Sequence, residues 1–220
     1  MLPEGIFSEL EVVFFDAEGT LFHIHPSVGA IYARVCRRYG LAVEPEEMER
    51  RFREVFARLK DQGELSPEGC WRRWRQIFLE TVSSFGELKD PHQAFAECYR
   101  AFTLPENFLL SPGTREVLRS LREQGKRAAI ISNWDERLRK LVVSFGLEDF
   151  FAEIVISCEV GLAKPNPEIY HLACQRLKTP PEKALMIGDH PEDDVLAARK
   201  AGLWALRYPG GDLRRLFPRK

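Results

Sequence analysis

The 220-residue sequence contains no apolar run close to the roughly 18 to 20 residues that a membrane-spanning helix needs. Its first residues, Met1-Leu2-Pro3-Glu4-Gly5, lack the basic stretch and long apolar core of a secretion signal. Net charge is nearly absent. Lys and Arg total 32 against 33 Asp and Glu, a formal charge of −1, which argues against a nucleic-acid coat or a polybasic membrane anchor. The five cysteines, Cys36, Cys70, Cys98, Cys158 and Cys174, are odd in number and show no C-x-x-C spacing. That pattern supports neither a zinc site nor a disulfide framework, so a reducing cytoplasm is the expected setting. Internal repeats and low-complexity tracts are also missing. What remains is a chain with 45% apolar and 30% charged residues, ordinary for a globular protein and long enough for a large domain with an insertion.

Short apolar runs rich in β-branched residues punctuate the chain at Val12 to Phe15, Ala128 to Ile131, Ile154 to Ile156, Ala184 to Ile187 and Leu203 to Leu206. Runs apolar at every position suit strands buried on both faces, and therefore a parallel sheet covered by helices. Helical periodicity fills the gaps between the last four. Leu138, Leu141, Val142 and Phe145 share a face that Gly146 would end. Asn166-Pro167 reads as an N-cap and first helical residue before Ile169, Tyr170 and Ala173. Alternation of this kind predicts a doubly wound, Rossmann-like α/β sheet.

Residues 24–108 carry no convincing strand. Val28, Ile31, Tyr32, Val35, Cys36 and Tyr39 follow helical spacing up to Gly40, and Met48, Phe52, Val55, Phe56 and Leu59 form a second stripe. Ser66-Pro67 opens a third helix carrying Trp71, Trp74, Phe78, Val82 and Phe85, with both tryptophans expected in the bundle core. Phe95, Cys98, Tyr99 and Phe102 indicate a fourth. The expected organisation is a core of residues 1–23 and 109–220 and an inserted all-helical domain of residues 24–108, with linkers at Leu21 to Pro26 and Leu104 to Pro112. His23 and His25 read as linker residues without a catalytic role.

Four chemically distinctive residues follow successive strands: Asp16, Ser132, Lys164 and Asp189. In an open parallel sheet, residues just past the strand C-termini line the ligand crevice. The set suits phosphoryl transfer. Asp16 and Asp189, with the acidic group Glu192, Asp193 and Asp194, concentrate negative charge that would repel a phosphate unless a hard cation such as Mg²⁺ sits among them. An aspartate nucleophile would form an acyl phosphate that water later cleaves. Gly19-Thr20 offers a sharp turn and a hydroxyl, Ser132 with the Asn133 amide can hold a phosphate oxygen, and Lys164 can offset charge on the transferring group.

These segments resemble the motifs of the haloacid dehalogenase superfamily. Asp16-Ala17-Glu18-Gly19-Thr20-Leu21 is similar to its first, Ile130-Ile131-Ser132-Asn133 to its second and Lys164-Pro165-Asn166-Pro167 to its third. Gly188-Asp189 followed by Asp194 and Ala201-Gly202 is similar to the fourth, and an insertion after the first motif is similar to the helical cap of the first subfamily. The resemblance implies Asp16 as nucleophile, with Asp16, the Glu18 backbone carbonyl and Asp189 holding the metal. It implies Thr20, Ser132 and Lys164 on the phosphate, and Asp193 or Asp194 in the metal's outer shell. The expected partner is a small phosphate ester, with no nucleic acid and no membrane.

One position departs from the pattern. Phosphatases of this family carry aspartate two residues after the nucleophile as general acid and base, and here Glu18 stands there, one methylene longer. Two other readings follow. A metal-free 2-haloacid dehalogenase would use the same aspartate on carbon, and Lys164 and Tyr170 keep the spacing found in those enzymes. A catalytically weak binding or regulatory protein on the same fold would explain Glu18.

Overall fold

A computed structural model describes residues 5–217. In chain order the helices and strands are α1 (Ile6–Glu9), β1 (Val12–Phe15), β2 (Phe22–Ile24), α2 (Val28–Arg38), α3 (Pro45–Leu59), α4 (Pro67–Val82), α5 (Pro91–Ala101), β3 (Phe108–Leu110) and α6 (Thr114–Glu123), then β4 (Arg127–Ser132), α7 (Arg137–Ser144), β5 (Phe151–Ile156), α8 (Ser157–Val160), α9 (Glu168–Arg176), β6 (Ala184–Gly188), α10 (Ala197–Lys200) and β7 (Trp204–Arg207). The chain divides into two compact units: the sheet unit, up to His23 and again from Leu110 onward, and a helical unit, Ile24–Leu109.

In the sheet unit, five strands lie in the order β5-β4-β1-β6-β7 and every pairing is parallel. All four residues of β1 are fully buried, which is what an unbroken Val-Val-Phe-Phe run requires of a strand covered on both faces. One face packs Val12, Phe14, Ala129, Ile131 and Met186 against Ile169, Tyr170 and Ala173 of α9. The expected α/β doubly wound sheet is therefore observed. From β1 the order runs through β4 and β5 on one side and through β6 and β7 on the other. The end of β1 is thus the switch point where such sheets hold their ligands.

In the helical unit, Ser27, Ser66 and Asp90 cap α2, α4 and α5 by accepting hydrogen bonds from the third residue onward. Tyr32 sits among Phe52, Phe78 and Phe102, with ring centroids 5.8, 5.1 and 6.2 Å away.

Several local expectations shift. β2 and β3 pair in a two-stranded ladder inside segments read as linkers. Phe85 lies in a turn beyond α4, which ends at Val82. Trp71 is not bundle core: it is 43% exposed, its ring edge-on to Phe95, because Cys70, Ile77, Phe78 and Thr81 already fill the buried face. α9 starts at Glu168, one residue later than read. Asn166 Oδ1 accepts from Glu168 N at 3.0 Å and caps from outside. Cys36, Cys98 and Cys174 are free thiols, and the expectation of no disulfide is kept for these three only. No helix among the described residues is long and apolar enough to cross a membrane.

Candidate active site

Asp16 leaves the end of β1 with its backbone N–H donating to Ile187 O of β6 at 2.9 Å, so the sheet itself aims the side chain past the strand ends. The chain then turns sharply through Ala17–Leu21. Gly19 takes φ +89°, and a Cβ there would lie 2.6 Å from the Asp189 carboxylate, so both the conformation and the space demand glycine. Gly188 is needed for a different reason: a Cβ would meet Asp194 at 2.2 Å. These two glycines let the β1 turn and the segment after β6 close on each other.

Asp194 is brought in by a π-helical turn, Pro191–Leu196, a local widening that often marks functional positions. His190 braces it, its backbone N–H donating to Asp194 Oδ2 at 2.9 Å while its Nδ1 accepts from Asp193 N at 3.1 Å. Carboxylate oxygens of Asp16, Asp189 and Asp194 all lie within 4.8 Å of one another. Asp194 and Asp16 are buried and Asp189 is half-buried.

One cation answers this charge. Lys164 Nζ donates to Asp16 Oδ1 at 2.6 Å and to Asp194 Oδ1 at 2.5 Å, with its side chain only 3% exposed. Burial opposes its charged form, but Asp16 and Asp194 overcome that and hold the ammonium above its ordinary pKa. Asp16 moves the other way for a carboxylate. Burial raises its pKa to about 6 against the pull of Lys164, and Asp194 and Asp189 add to the rise. Three carboxylates against one ammonium leave the cluster negative when ionised. Ser132 Oγ donates to Asp16 Oδ1 at 3.2 Å, and Thr20 Oγ1 donates to Asp189 Oδ1 at 3.5 Å.

Asp16, Thr20, Ser132, Lys164, Asp189 and Asp194 are thus brought together. The Asn133 side-chain amide donates to Lys164 O and accepts from Lys164 N, both at 2.8 Å, and so braces the lysine's backbone. Of the two residues expected in an outer shell, Asp194 joins the cluster and Asp193 does not. The Asp193 carboxylate lies 3.6 Å from His190 Nδ1, and its carbonyl accepts from the Tyr170 hydroxyl. Glu192 and Glu18 are exposed, and the Glu18 carboxyl is not one of the three clustered groups. The backbone of Glu18 bridges to Phe22 within the turn.

Two features went unread in the sequence. Tyr170 registers there as an apolar helix position and by its spacing from Lys164, but not as the donor to the Asp193 carbonyl. The buried pair Asp135 and Arg137, bidentate through Nε at 2.8 Å and Nη2 at 2.6 Å, follows the Ser132-Asn133 loop and ties down its exit.

The comparisons with known proteins point the same way as this geometry. The profile of the haloacid dehalogenase-like hydrolases matches residues 10–202. The chain belongs to that family. It is 34% identical over 203 residues to haloacid dehalogenase-like hydrolase domain-containing protein 3 of Xenopus laevis, covering 88% of this chain and 82% of that protein. It is 28% identical over 219 residues to a glyceraldehyde 3-phosphate phosphatase of Methanopyrus kandleri, covering 96% and 88%. The L-2-haloacid dehalogenase of Xanthobacter autotrophicus with chloropropionic acid covalently bound superposes with a TM-score of 0.69 at 22% identity, covering 90% of this chain and 77% of that one. This last likeness speaks for the shared fold alone. A member of this hydrolase family is an enzyme.

Proposed function

We propose that this hydrolase is a Mg²⁺-dependent phosphatase of small phosphate monoesters that works through a covalent phosphate on Asp16. The observation that carries the reading is the closeness of three carboxylates, Asp16, Asp189 and Asp194, with the Lys164 ammonium bonded to Asp16 and Asp194. Such an all-oxygen, net-negative set fits a hard divalent cation. Mg²⁺ would be held by Asp16, Asp189 and the Glu18 backbone carbonyl, and when bound it offsets negative charge on the phosphate. Asp194 would sit just outside, turned toward Lys164 and the His190 N–H.

The chain's own residues divide the remaining work. An Asp16 carboxylate oxygen attacks phosphorus and the ester P–O bond breaks, the departing oxygen taking the proton of the Glu18 carboxylic acid. Water then attacks the aspartyl phosphate, the Glu18 carboxylate takes a proton from it, and phosphate leaves with Asp16 restored. Ser132, Thr20 and Lys164 hold the non-bridging oxygens and offset their charge. Selection of the organic part is assigned to the helical unit.

The metal-free dehalogenase reading leaves three carboxylates, Asp16, Asp189 and Asp194, against one ammonium, a costly excess of like charge. Turnover of p-nitrophenyl phosphate that needs Mg²⁺ and stops in EDTA is the expected result. Chloride release from 2-chloropropionate in EDTA would sink the proposal. A binding or regulatory role would be favoured by a folded protein that neither turns over phosphate esters nor takes up beryllofluoride at Asp16.

A further inference from the structure

Thr20 is fully buried, its hydroxyl 3.5 Å from Asp189, while its backbone carbonyl enters a different set of contacts. Ser111, in the connection from β3 to α6 and 2% exposed, donates from Oγ to Thr20 O at 2.5 Å. The Ser111 backbone N–H donates to Leu21 O at 2.9 Å. Thr114 Oγ1 closes the same corner by donating to Ser111 O at 2.8 Å. His23 Nε2 lies 3.0 Å from Ser111 Oγ. A backbone carbonyl only accepts, and a serine hydroxyl carries one proton. With that proton directed to Thr20 O, the histidine contact requires Nε2–H to be the donor. The three groups form a directed chain: His23 Nε2–H to Ser111 Oγ–H to Thr20 C=O. Hydrogen bonds of one sense in series strengthen one another.

We infer that Ser111 and His23 are positioning residues that fix the Thr20 hydroxyl over the carboxylate cluster through this chain, an inference that rests on Thr20 facing phosphate in the proposed reaction. Neither residue touches the three carboxylates. Ser111 acts by holding the carbonyl of the peptide that follows the Gly19 turn, so the side chain on the same residue keeps its direction. The chain needs a proton on His23 Nε2, which the Nδ1–H tautomer lacks.

The test compares full-length wild type, Ser111→Ala, His23→Gln and His23→Leu with Mg²⁺ and p-nitrophenyl phosphate. Ser111→Ala is expected to lower kcat about 10- to 100-fold, with KM changed less than about threefold, because misplacement near 1 Å acts on that scale. His23→Gln, which keeps an N–H at comparable reach, is expected within about threefold of wild type, and His23→Leu about tenfold below it. An unchanged kcat in folded Ser111→Ala overturns the inference, as does an equal loss in the two His23 variants. Should Ser111→Ala fail to fold, the His23 pair decides. Nitrogen NMR of the wild-type protein gives a readout that needs no turnover: Nε2 of His23 is expected to carry a proton, and a bare Nε2 overturns the chain. Wild type inactive on all phosphate monoesters would defeat the proposed function. The inference would then be decided by the His23 tautomer and by the Thr20 rotamer in a crystal of Ser111→Ala, where an unmoved Thr20 would overturn it.

Discussion

At the strand ends of the sheet unit, a buried ammonium holds two carboxylates at 2.6 and 2.5 Å with a third close by. In the helical unit, Tyr32 meets three phenylalanine rings, and Phe56 stacks between Phe52 at 5.4 Å and Trp74 at 5.8 Å. Both regions are buried, yet the forces differ in kind. Aromatic burial removes apolar surface from water and is stabilising outright. Burying ions carries a desolvation penalty that their attraction only partly returns, and here one lysine pairs with two of three clustered carboxylates. Stability is therefore drawn from the apolar packing, and the charged cluster at the sheet end costs part of it.

The largest expected effect that tests this contrast is on turnover. Asp16→Asn removes the proposed nucleophile and is expected to lower kcat by at least about 10³-fold, measured on p-nitrophenyl phosphate with Mg²⁺. The same variant tests the stability side with metal removed. An acid whose folded pKa is raised from 3.8 to about 6 binds its proton more tightly when folded. Its favourable contribution is present below the ordinary value and is lost as pH rises through about 6, a change of about 3 kcal/mol. Wild type in EDTA should therefore lose stability between about pH 4 and 6 relative to Asp16→Asn, read as the difference in denaturant midpoint. Parallel pH profiles for the two proteins would show that the cluster is not strained without metal.

Lys164→Met comes next. It leaves Asp16 and Asp194 facing each other without their ammonium, and breaking such a buried pair is expected to destabilise the protein by about 3 to 5 kcal/mol near pH 7. The loss should shrink at pH 4, where a carboxyl can be neutral. A loss independent of pH would point to packing instead of charge. Tyr32→Ala is the counterpart in the helical unit. It removes a ring in contact with three others and is expected to cost about 3 kcal/mol, with no such pH dependence. If Tyr32→Ala proved pH-dependent and Lys164→Met did not, the contrast between the two regions would be reversed.

Legibility in the sequence divided along the same line. The parallel sheet was readable because Val12 to Phe15 and Ala184 to Ile187 are apolar at every position, a pattern that only two-sided burial explains. The placement of Asp16, Ser132, Lys164 and Asp189 followed from strand ends alone. Asp194 was harder: its approach depends on a π-helical turn and on the missing Cβ of Gly188, and neither has a periodic signature. The two hydrogen bonds by which the Asn133 side chain braces the Lys164 backbone join residues 31 apart in the chain, and no local pattern marks such a pairing. Trp71 misled for a simpler reason: helical spacing marks the apolar stripe, and a large ring at the stripe's flank counts the same as one at its centre. The β2–β3 ladder was missed because three-residue strands carry too little pattern to stand out from a linker.

The smallest effect is the one that sharpens the site most. Glu18 is exposed on the turn after Asp16 and is not one of the three clustered carboxylates, so burial does not confine it as it confines Asp16. One methylene moves a carboxyl by about 1 to 1.5 Å, and a buried, braced group could not absorb that shift. An exposed side chain can, through a different rotamer, although the added freedom lowers the fraction of time spent in line for proton transfer. Glu18→Asp is therefore expected to hold kcat or raise it by up to about tenfold, while Glu18→Gln, which cannot exchange a proton, is expected to lower it about 10²-fold or more. Both are read on the same ester with Mg²⁺. A large loss in Glu18→Asp would mean that the cluster is spaced for glutamate, and the longer side chain would then be part of the design of the site.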